Sequence, residues 1–289
     1  MFLTRKYAII LSGILTGTAS TMFAFIGDSV PVLSSVFLRV FLATLLFFVV
    51  MSFVDKRFYA VSRSDLKSYA LVGLTLASTL SLYFLAISFY TISSVTLILS
   101  SYVVFVAIFA SIFLKERLKK AHKVSIALAI IGLAIVSPFS GKFNMIGALL
   151  ALCSAIVYAI FLVYSRYTEK KNSIGSIFWI FLFATLYLSP FVFKFGFGEL
   201  KSVIPYVLIM GLVSTGLAYL LLLYGLKKVK AETAAVLTIV SHTLSALLFA
   251  VFLIGEVLTI RLIIGGIILI SSGVYLLYSK KIKHFLHHH

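Results

Sequence analysis

Apolar residues fill this chain in long unbroken stretches, and polar residues gather in short clusters between them. Each stretch runs for about twenty residues, the length an α-helix needs to cross the hydrocarbon core of a bilayer. The pattern predicts ten helices, at about 7–27, 32–54, 66–89, 93–114, 122–139, 145–166, 175–194, 203–224, 232–254 and 261–279. Several connections fall at residues that break helices: Pro31, Pro138 with Gly141, and Gly196 with Gly198. The same pattern argues against a membrane β-barrel, whose strands alternate apolar and polar residues over about ten positions.

Composition sharpens this reading. Hydrophobic residues make up 62% and charged residues 11% of 289, against roughly 45–50% and about 25% in soluble domains. Mean hydropathy is +1.17. Ten spans and their short loops leave no room for a soluble domain. The net charge of +17 would suit nucleic acid, but the basic residues are clustered in the loops, so the expected partner is the lipid bilayer and not nucleic acid. With both termini on one side, Lys and Arg divide 20 to 4 between the two faces, and the remaining one, Arg39, falls well inside a span. That asymmetry predicts a multi-pass protein of the cell membrane with cytoplasmic termini. The lone Cys153 excludes an internal disulfide or a cysteine metal site. The first apolar run lacks a small-residue cleavage site and does not read as a signal peptide. His287, His288 and His289 look like the remnant of a purification tag, within a tail at 284–289.

The two halves echo each other at an offset of 140. Leu97, Ser101, Phe109, Ala110, Glu116 and Leu118 recur as Leu237, Ser241, Phe249, Ala250, Glu256 and Leu258, and Ala43-Thr44-Leu45 recurs as Ala184-Thr185-Leu186. Five spans per half is an odd number, so the halves must lie in opposite orientations. Loop charges agree: KERLKKAHK after the fourth span is basic, while GEVLTIR after the ninth is nearly neutral. The expected organisation is a five-helix repeat at 1–139 and a second, inverted one at 140–283. Such repeats are common in secondary transporters, whose substrates bind near the midplane between them.

Four stretches carry a family resemblance. They are AISFYTISSVTLILSSYVVFVAIFASIFLKERL at 86–118, its echo at 225–258 ending IGEVL, GLVSTGLAY at 211–219, and Arg39 within FLRVFLATLL. In their order and spacing the chain resembles the drug/metabolite transporter superfamily, in its EamA-type branch of five plus five spans, over nearly all of 7–279. Two features differ from the family pattern: the first span reads LSGILTGTA without a Trp-Gly pair, and Val103 and Thr243 stand near expected prolines. The resemblance implies a transporter of amino acids or related metabolites, acting in export, with proton or exchange coupling. It also implies a cavity lined by spans 1, 3, 4, 6, 8 and 9, with spans 5 and 10 at the periphery.

Within the spans, unusual residues nominate a site. Arg39 is costly in a bilayer and so a candidate gate or anion anchor. Snorkelling toward headgroups, or pairing with Asp28, would equally account for it. His242 and its repeat partner Tyr102 share one depth, where they can line a central cavity or simply bond between helices. Tyr83, Tyr158 and Tyr219 lie too deep for the interfacial belt that suits Trp179. With Ser78, Thr79, Ser100, Ser101, Thr215 and Ser241 they could form a mostly apolar pocket, though such hydroxyls also serve as interhelical glue. Glu116 and Glu256 can each cap the helix that follows. Gly13 and Gly17 permit a close helix crossing.

The sequence carries no HExxH, GxSxG or Walker A motif, so neither an enzyme nor an ATP-driven pump is expected. No cofactor is implied. The reading is therefore a secondary transporter of a small organic solute working by alternating access, as a monomer or weak homodimer. A passive channel or facilitator is the alternative, against which stands the apolar character of the spans.

Overall fold

The computed structural model describes residues 2–54, 59–113, 120–136, 144–169, 175–226, 229 and 231–286. Among them every regular element is helical. The helices are α1 (Phe2–Ile26), α2 (Val32–Val54), α3 (Arg63–Phe89), α4 (Ile92–Leu99), α5 (Tyr102–Phe113), α6 (Lys120–Val136), α7 (Met145–Glu169), α8 (Ser176–Phe195), α9 (Leu200–Leu208), α10 (Ala218–Leu226), α11 (Ala231–Ile254) and α12 (Ile260–Leu286). A π-helical segment, Ile209–Leu217, joins α9 to α10 without a break, so with α4 and α5 counted as two parts of one rod these elements form ten rods among the described residues. Seven rods are long and apolar enough to cross a membrane, and shorter apolar helices lie at Ile92–Val106 and Ile260–Ser272. Phe193 is 90% exposed, Val257 84% and Phe53 82%. Side chains of this kind turned outward suit lipid, where every backbone polar group must be satisfied within its own helix.

Two expectations need correction. The fourth span is not continuous: α4 ends at Leu99, and α5 begins only after Ser100 and Ser101. The eighth span carries a wide π turn across GLVSTGLAY. Pro138, Gly141, Glu116 and the terminal histidines lie outside the described residues.

Packing follows a rule of exchange. α1 lies on α11, and α4 with α5 on α7. α3 lies on α7, and α1 on the rod α9–α10. α3 also meets α8, while α2 meets the π segment. α2 with α8 and α6 with α12 pair across the halves. Swapping each rod for its counterpart five places along the chain maps these contacts onto one another. The repeated Thr44 and Thr185 hydrogen-bond each other at 3.0 Å.

Small residues set the closest crossings. A Cβ at Gly17 would overlap Ser245 Oγ and come within 2.8 Å of the His242 carbonyl oxygen, and one at Gly13 would overlap Ser241 Oγ. These glycines let α1 and α11 meet backbone to backbone, as small-xxx-small interfaces do in membranes. Buried Phe47, Phe84 and Phe181 fill the space between α2, α3 and α8. Hydroxyls join rods across the core: Thr18 with Ser214 at 2.6 Å, Ser100 with Thr243 at 3.1 Å, and Ser154 donating to the Thr79 carbonyl at 2.9 Å.

Candidate functional site

A cavity of about 180 Å³ opens where the two halves meet. Helical periodicity explains which side chains form its wall. Ser12, Thr16 and Ala19 lie on one stripe of α1, at i, i+4 and i+7. Thr79 and Tyr83 share a stripe of α3, Tyr158, Phe161 and Leu162 one of α7, Tyr219 and Leu222 one of α10, and Thr238 and His242 one of α11. Arg39 enters from α2, and Leu99, Ser100 and Tyr102 from either side of the break in the fourth span. The wall thus draws on spans 1, 3, 4, 6, 8 and 9, with span 2 added through Arg39.

Arg39 is 5% exposed. Its Nε donates to Thr215 Oγ1 at 2.6 Å, and its guanidinium carbon lies 5.1 Å from the centre of the Phe84 ring. Asp28 is not its partner: that carboxylate is exposed on the 3₁₀ turn after α1. Thr215 in turn donates to the Met210 carbonyl, five residues back, at 2.8 Å. That is the spacing of a π turn, so the widened turn and the arginine contact share one hydroxyl. Among the described residues nothing accepts from the two terminal guanidinium nitrogens.

Aromatic rings form the remaining wall. Tyr102 and Tyr158 meet edge to face at 4.7 Å, and Tyr158 stacks on Phe161 at 5.7 Å. Tyr219 packs edge to face on Phe181 at 5.2 Å. The Tyr83 hydroxyl bonds Thr96 Oγ1 at 3.0 Å, tying α3 to the last turn of α4. No carboxylate lies among the described residues of the wall.

The cavity brings together Arg39, Tyr83, Tyr102, Tyr158, Tyr219 and His242 of the nominated set. Four nominated hydroxyls lie off the wall. Ser241 faces α1 at Gly13 and returns its hydroxyl to the Leu237 carbonyl at 2.6 Å. Ser101 is buried in the break, Ser78 lies one position off the α3 stripe, and Thr215 reaches the cavity only through Arg39. Sequence reasoning missed Ser12, Thr16 and Thr238, although the i, i+4 rule applied to His242 gives Thr238.

Glu256 also differs from expectation. It does not cap α12, whose start is held by Thr259 Oγ1 accepting from the Leu262 N–H at 3.3 Å. Its two oxygens instead accept from the N–H groups of Ile92 (2.6 Å) and Ser93 (3.0 Å) at the start of α4, 164 and 163 residues away.

Two segments, 6–137 and 145–279, match the EamA-like transporter family. The chain belongs to that family. An uncharacterized transporter of Archaeoglobus fulgidus is 30% identical over 269 residues, covering 92% of this chain and 93% of its own length. Another from Clostridium kluyveri is 27% identical over 236 residues, covering 76% and 74%. A solved crystal structure superposes with a TM-score of 0.66 over 94% of this chain and 95% of its own, at 15% identity, a likeness of fold alone. This EamA-like chain is therefore a multi-pass membrane transporter, and the two matched segments are its two repeats.

Proposed function

We propose that the protein is a secondary transporter of small carboxylate-bearing organic solutes, amino acids and their relatives, working by alternating access in the direction of export. The observation that carries this reading is the buried Arg39 guanidinium, set in the cavity wall with its terminal nitrogens unpartnered among the described residues. A charge inside a span costs at least about 2.5–3.5 kcal/mol near its centre. A planar fork of donors matches a carboxylate bidentately.

The exchange symmetry of the packing supports two inverted halves rocking around this cavity. The loop charges support cytoplasmic termini in the cell membrane. Coupling to protons or to exchange belongs to the same proposal, with His242 as the imidazole of the cavity wall.

Counterflow in proteoliposomes tests it. Liposomes loaded with an amino acid or organic acid should take up the labelled solute in a saturable manner. Arg39→Gln should abolish uptake while insertion persists, and Arg39→Lys should restore part of it, because an ammonium lacks the fork. Undiminished uptake by Arg39→Gln would refute the anchor, and uptake that does not saturate would point to a pore.

A further inference from the structure

We infer that the hydrogen bond between Thr44 and Thr185 is the fulcrum of the transport movement, and that the halves of the fold which rock about it are not the halves of the chain but two bundles, each drawn from both repeats. This rests on the alternating-access reading above and names the moving bodies and their pivot. Thr44 is the thirteenth of 23 residues in α2 and Thr185 the tenth of 20 in α8, so both stand at mid-helix. Each hydroxyl also reaches the carbonyl four residues back in its own helix, Val40 at 2.8 Å and Phe181 at 2.9 Å. Equivalent residues with equivalent partners touch only where the axis relating the two repeats passes between them. In an inverted repeat that axis lies in the membrane plane and exchanges the two faces. A contact on the axis maps onto itself under that exchange, so it survives when an inward state becomes an outward one. A contact off the axis, such as Ser100 with Thr243, maps to a different place, so one state keeps it and the other gives it up.

Glycine crossings define the bodies. In the first, Gly13 and Gly17 of α1 meet α11, and Gly211 and Gly216 of the π segment meet Leu42 and Leu46 of α2. A Cβ at Gly225 of α10 would overlap Ile9 and lie 3.0 Å from the Arg5 carbonyl oxygen of α1. In the second, a Cβ at Gly73 of α3 would lie 2.8 Å from the Ile180 carbonyl oxygen of α8, and one at Gly147 of α7 would lie 3.2 Å from the Ala86 carbonyl oxygen of α3. Backbones held this close cannot slide or part without opening voids. One body is therefore α1, α2, the rod α9–α10 and α11, and the other is α3, the broken fourth span, α7 and α8. Each holds two spans of either repeat, and swapping counterparts turns one body into the other.

Contacts between the bodies are of another kind. α2 meets α8 and α3, and α4 meets α11. The links are side chains: Thr44 with Thr185, Phe47 edge to face on Phe181 at 4.9 Å, and Ser100 with Thr243. Glu256, which follows α11, reaches the start of α4 in the same manner. Hydrogen bonds and ring contacts of this sort separate and re-form, as hinge and shear interfaces require. The cavity lies between the bodies, with Arg39 and His242 from the first and Tyr102 and Tyr158 from the second. A turn about the mid-helix contact therefore widens the cavity toward one face as it narrows it toward the other.

Disulfides test this in a Cys153→Ser background that carries Leu80→Cys on the cavity wall. Three pairs hold their hydroxyl oxygens close enough for cysteines to couple: Thr44 with Thr185 at 3.0 Å, Thr18 with Ser214 at 2.6 Å, and Ser100 with Thr243 at 3.1 Å. Each pair is replaced by cysteines and oxidised in membranes, and the bond is verified by peptide mass spectrometry. Leu80→Cys is then labelled with an impermeant maleimide from either face of oriented vesicles, each reduced pair serving as its own folded control. Before oxidation, label should enter from both faces. It should still do so with the disulfide at Thr44→Cys and Thr185→Cys, and with that at Thr18→Cys and Ser214→Cys, which joins the two repeats inside one body. The disulfide at Ser100→Cys and Thr243→Cys should slow labelling from one face at least about tenfold, and reductant should restore it. Loss of one face with the first disulfide, or its failure to form, would overturn the fulcrum. Loss with the second would make the repeats themselves the moving bodies, and unchanged labelling with the third would show that the two bundles do not part. Labelling from one face alone in the background protein would overturn alternating access instead.

Discussion

Glu256 is the most informative perturbation outside the cavity, because it joins the two halves at one end of the bundle. The start of α4 has four N–H groups without intrahelical partners. Glu256 accepts from Ile92 and Ser93, Thr91 Oγ1 accepts from Ser94 at 3.3 Å, and the Thr91 carbonyl accepts from Val95 at 3.0 Å. The Val95 bond is the first internal one of the helix; of the orphan donors, those of Ile92, Ser93 and Ser94 are satisfied, two of them by a residue from the other half of the chain. Glu256→Ala strips two charge-assisted bonds, each worth about 1.5–3 kcal/mol when fully buried. Glu256 is only half-buried, so water repays part of the loss and a net cost of about 2–3 kcal/mol is expected. Glu256→Gln keeps one acceptor and loses the interaction of its charge with the helix dipole, for a cost of about 1 kcal/mol. If this contact closes the outer side of the cavity, about 2.8 kcal/mol shifts the balance of closed and open states about a hundredfold. The assay is labelling of Leu80→Cys, on the cavity wall, by an impermeant maleimide added outside, in a Cys153→Ser background. The rate should rise in the order wild type, Glu256→Gln, Glu256→Ala. Equal rates in all three would refute the latch, and an unchanged melting temperature in Glu256→Ala would refute the cap itself.

Three further outcomes follow from the packing. Gly17→Ala should destabilise the protein by about 1–3 kcal/mol, and Gly17→Ala with Ser245→Ala should recover only part of this, since the His242 carbonyl and the Ala246 nitrogen remain within 2.9 Å of the new methyl; a wild-type melting temperature for the single variant would contradict the crossing geometry. Thr215→Val should raise the KM for counterflow about tenfold through loss of the Arg39 contact, whereas Thr215→Ser should stay near wild type; equal KM values for both would remove Thr215 as the residue that positions Arg39. Single cysteines at Ser62 and Asp28, both exposed, should label from the cytoplasmic and outer faces respectively, and labelling from one common face would overturn the proposed orientation.

The spans were legible because lipid imposes a length and a composition that nothing else in the sequence disguises. Arg39, His242 and the deep tyrosines stood out for the same reason, as polar groups where polarity is costly. Choosing among hydroxyls failed where depth replaced direction. Ser241 precedes His242 by one residue, about 100° around the helix, and on that side it faces Gly13 of α1 instead of the cavity. Ser78 stands in the same relation to Thr79. The break at Ser100–Ser101 lies in the run LILSSYVVF, which carries no glycine or proline to announce it. It is fixed by tertiary partners, Ser100 with Thr243 and Tyr83 with Thr96, and these are set by the fold. The π turn left a fainter mark, two glycines five residues apart at 211 and 216. Packing explains why they are glycines: a Cβ at Gly211 would lie 2.6 Å from Leu42 Cβ and 3.2 Å from the Arg39 carbonyl oxygen. The partner of Glu256 was illegible, because it lies 164 residues away.

The balance of interactions at Arg39 decides between a structural and a functional arginine. A guanidinium kept for structure would satisfy its five donors with protein acceptors, because a half-satisfied charge in a low-dielectric interior costs several kcal/mol. Here the described residues supply one hydrogen bond, from Nε to Thr215, and a ring face at 5.1 Å. The ring contact is worth about 0.5–2 kcal/mol. Nε is the donor whose bonding fixes the plane of the group while leaving the terminal pair free. Thr215 is itself held by the Met210 carbonyl across the π turn, so the orientation of the fork is set by backbone. Snorkelling would instead carry the group to the headgroups, and at 5% exposure it has not gone there. The sequence thus retains a costly charge, the fold aims it, and its remaining donors face a cavity whose described wall holds no carboxylate to receive them. On the proposed function, the acceptor that completes the arrangement is the carboxylate of the solute.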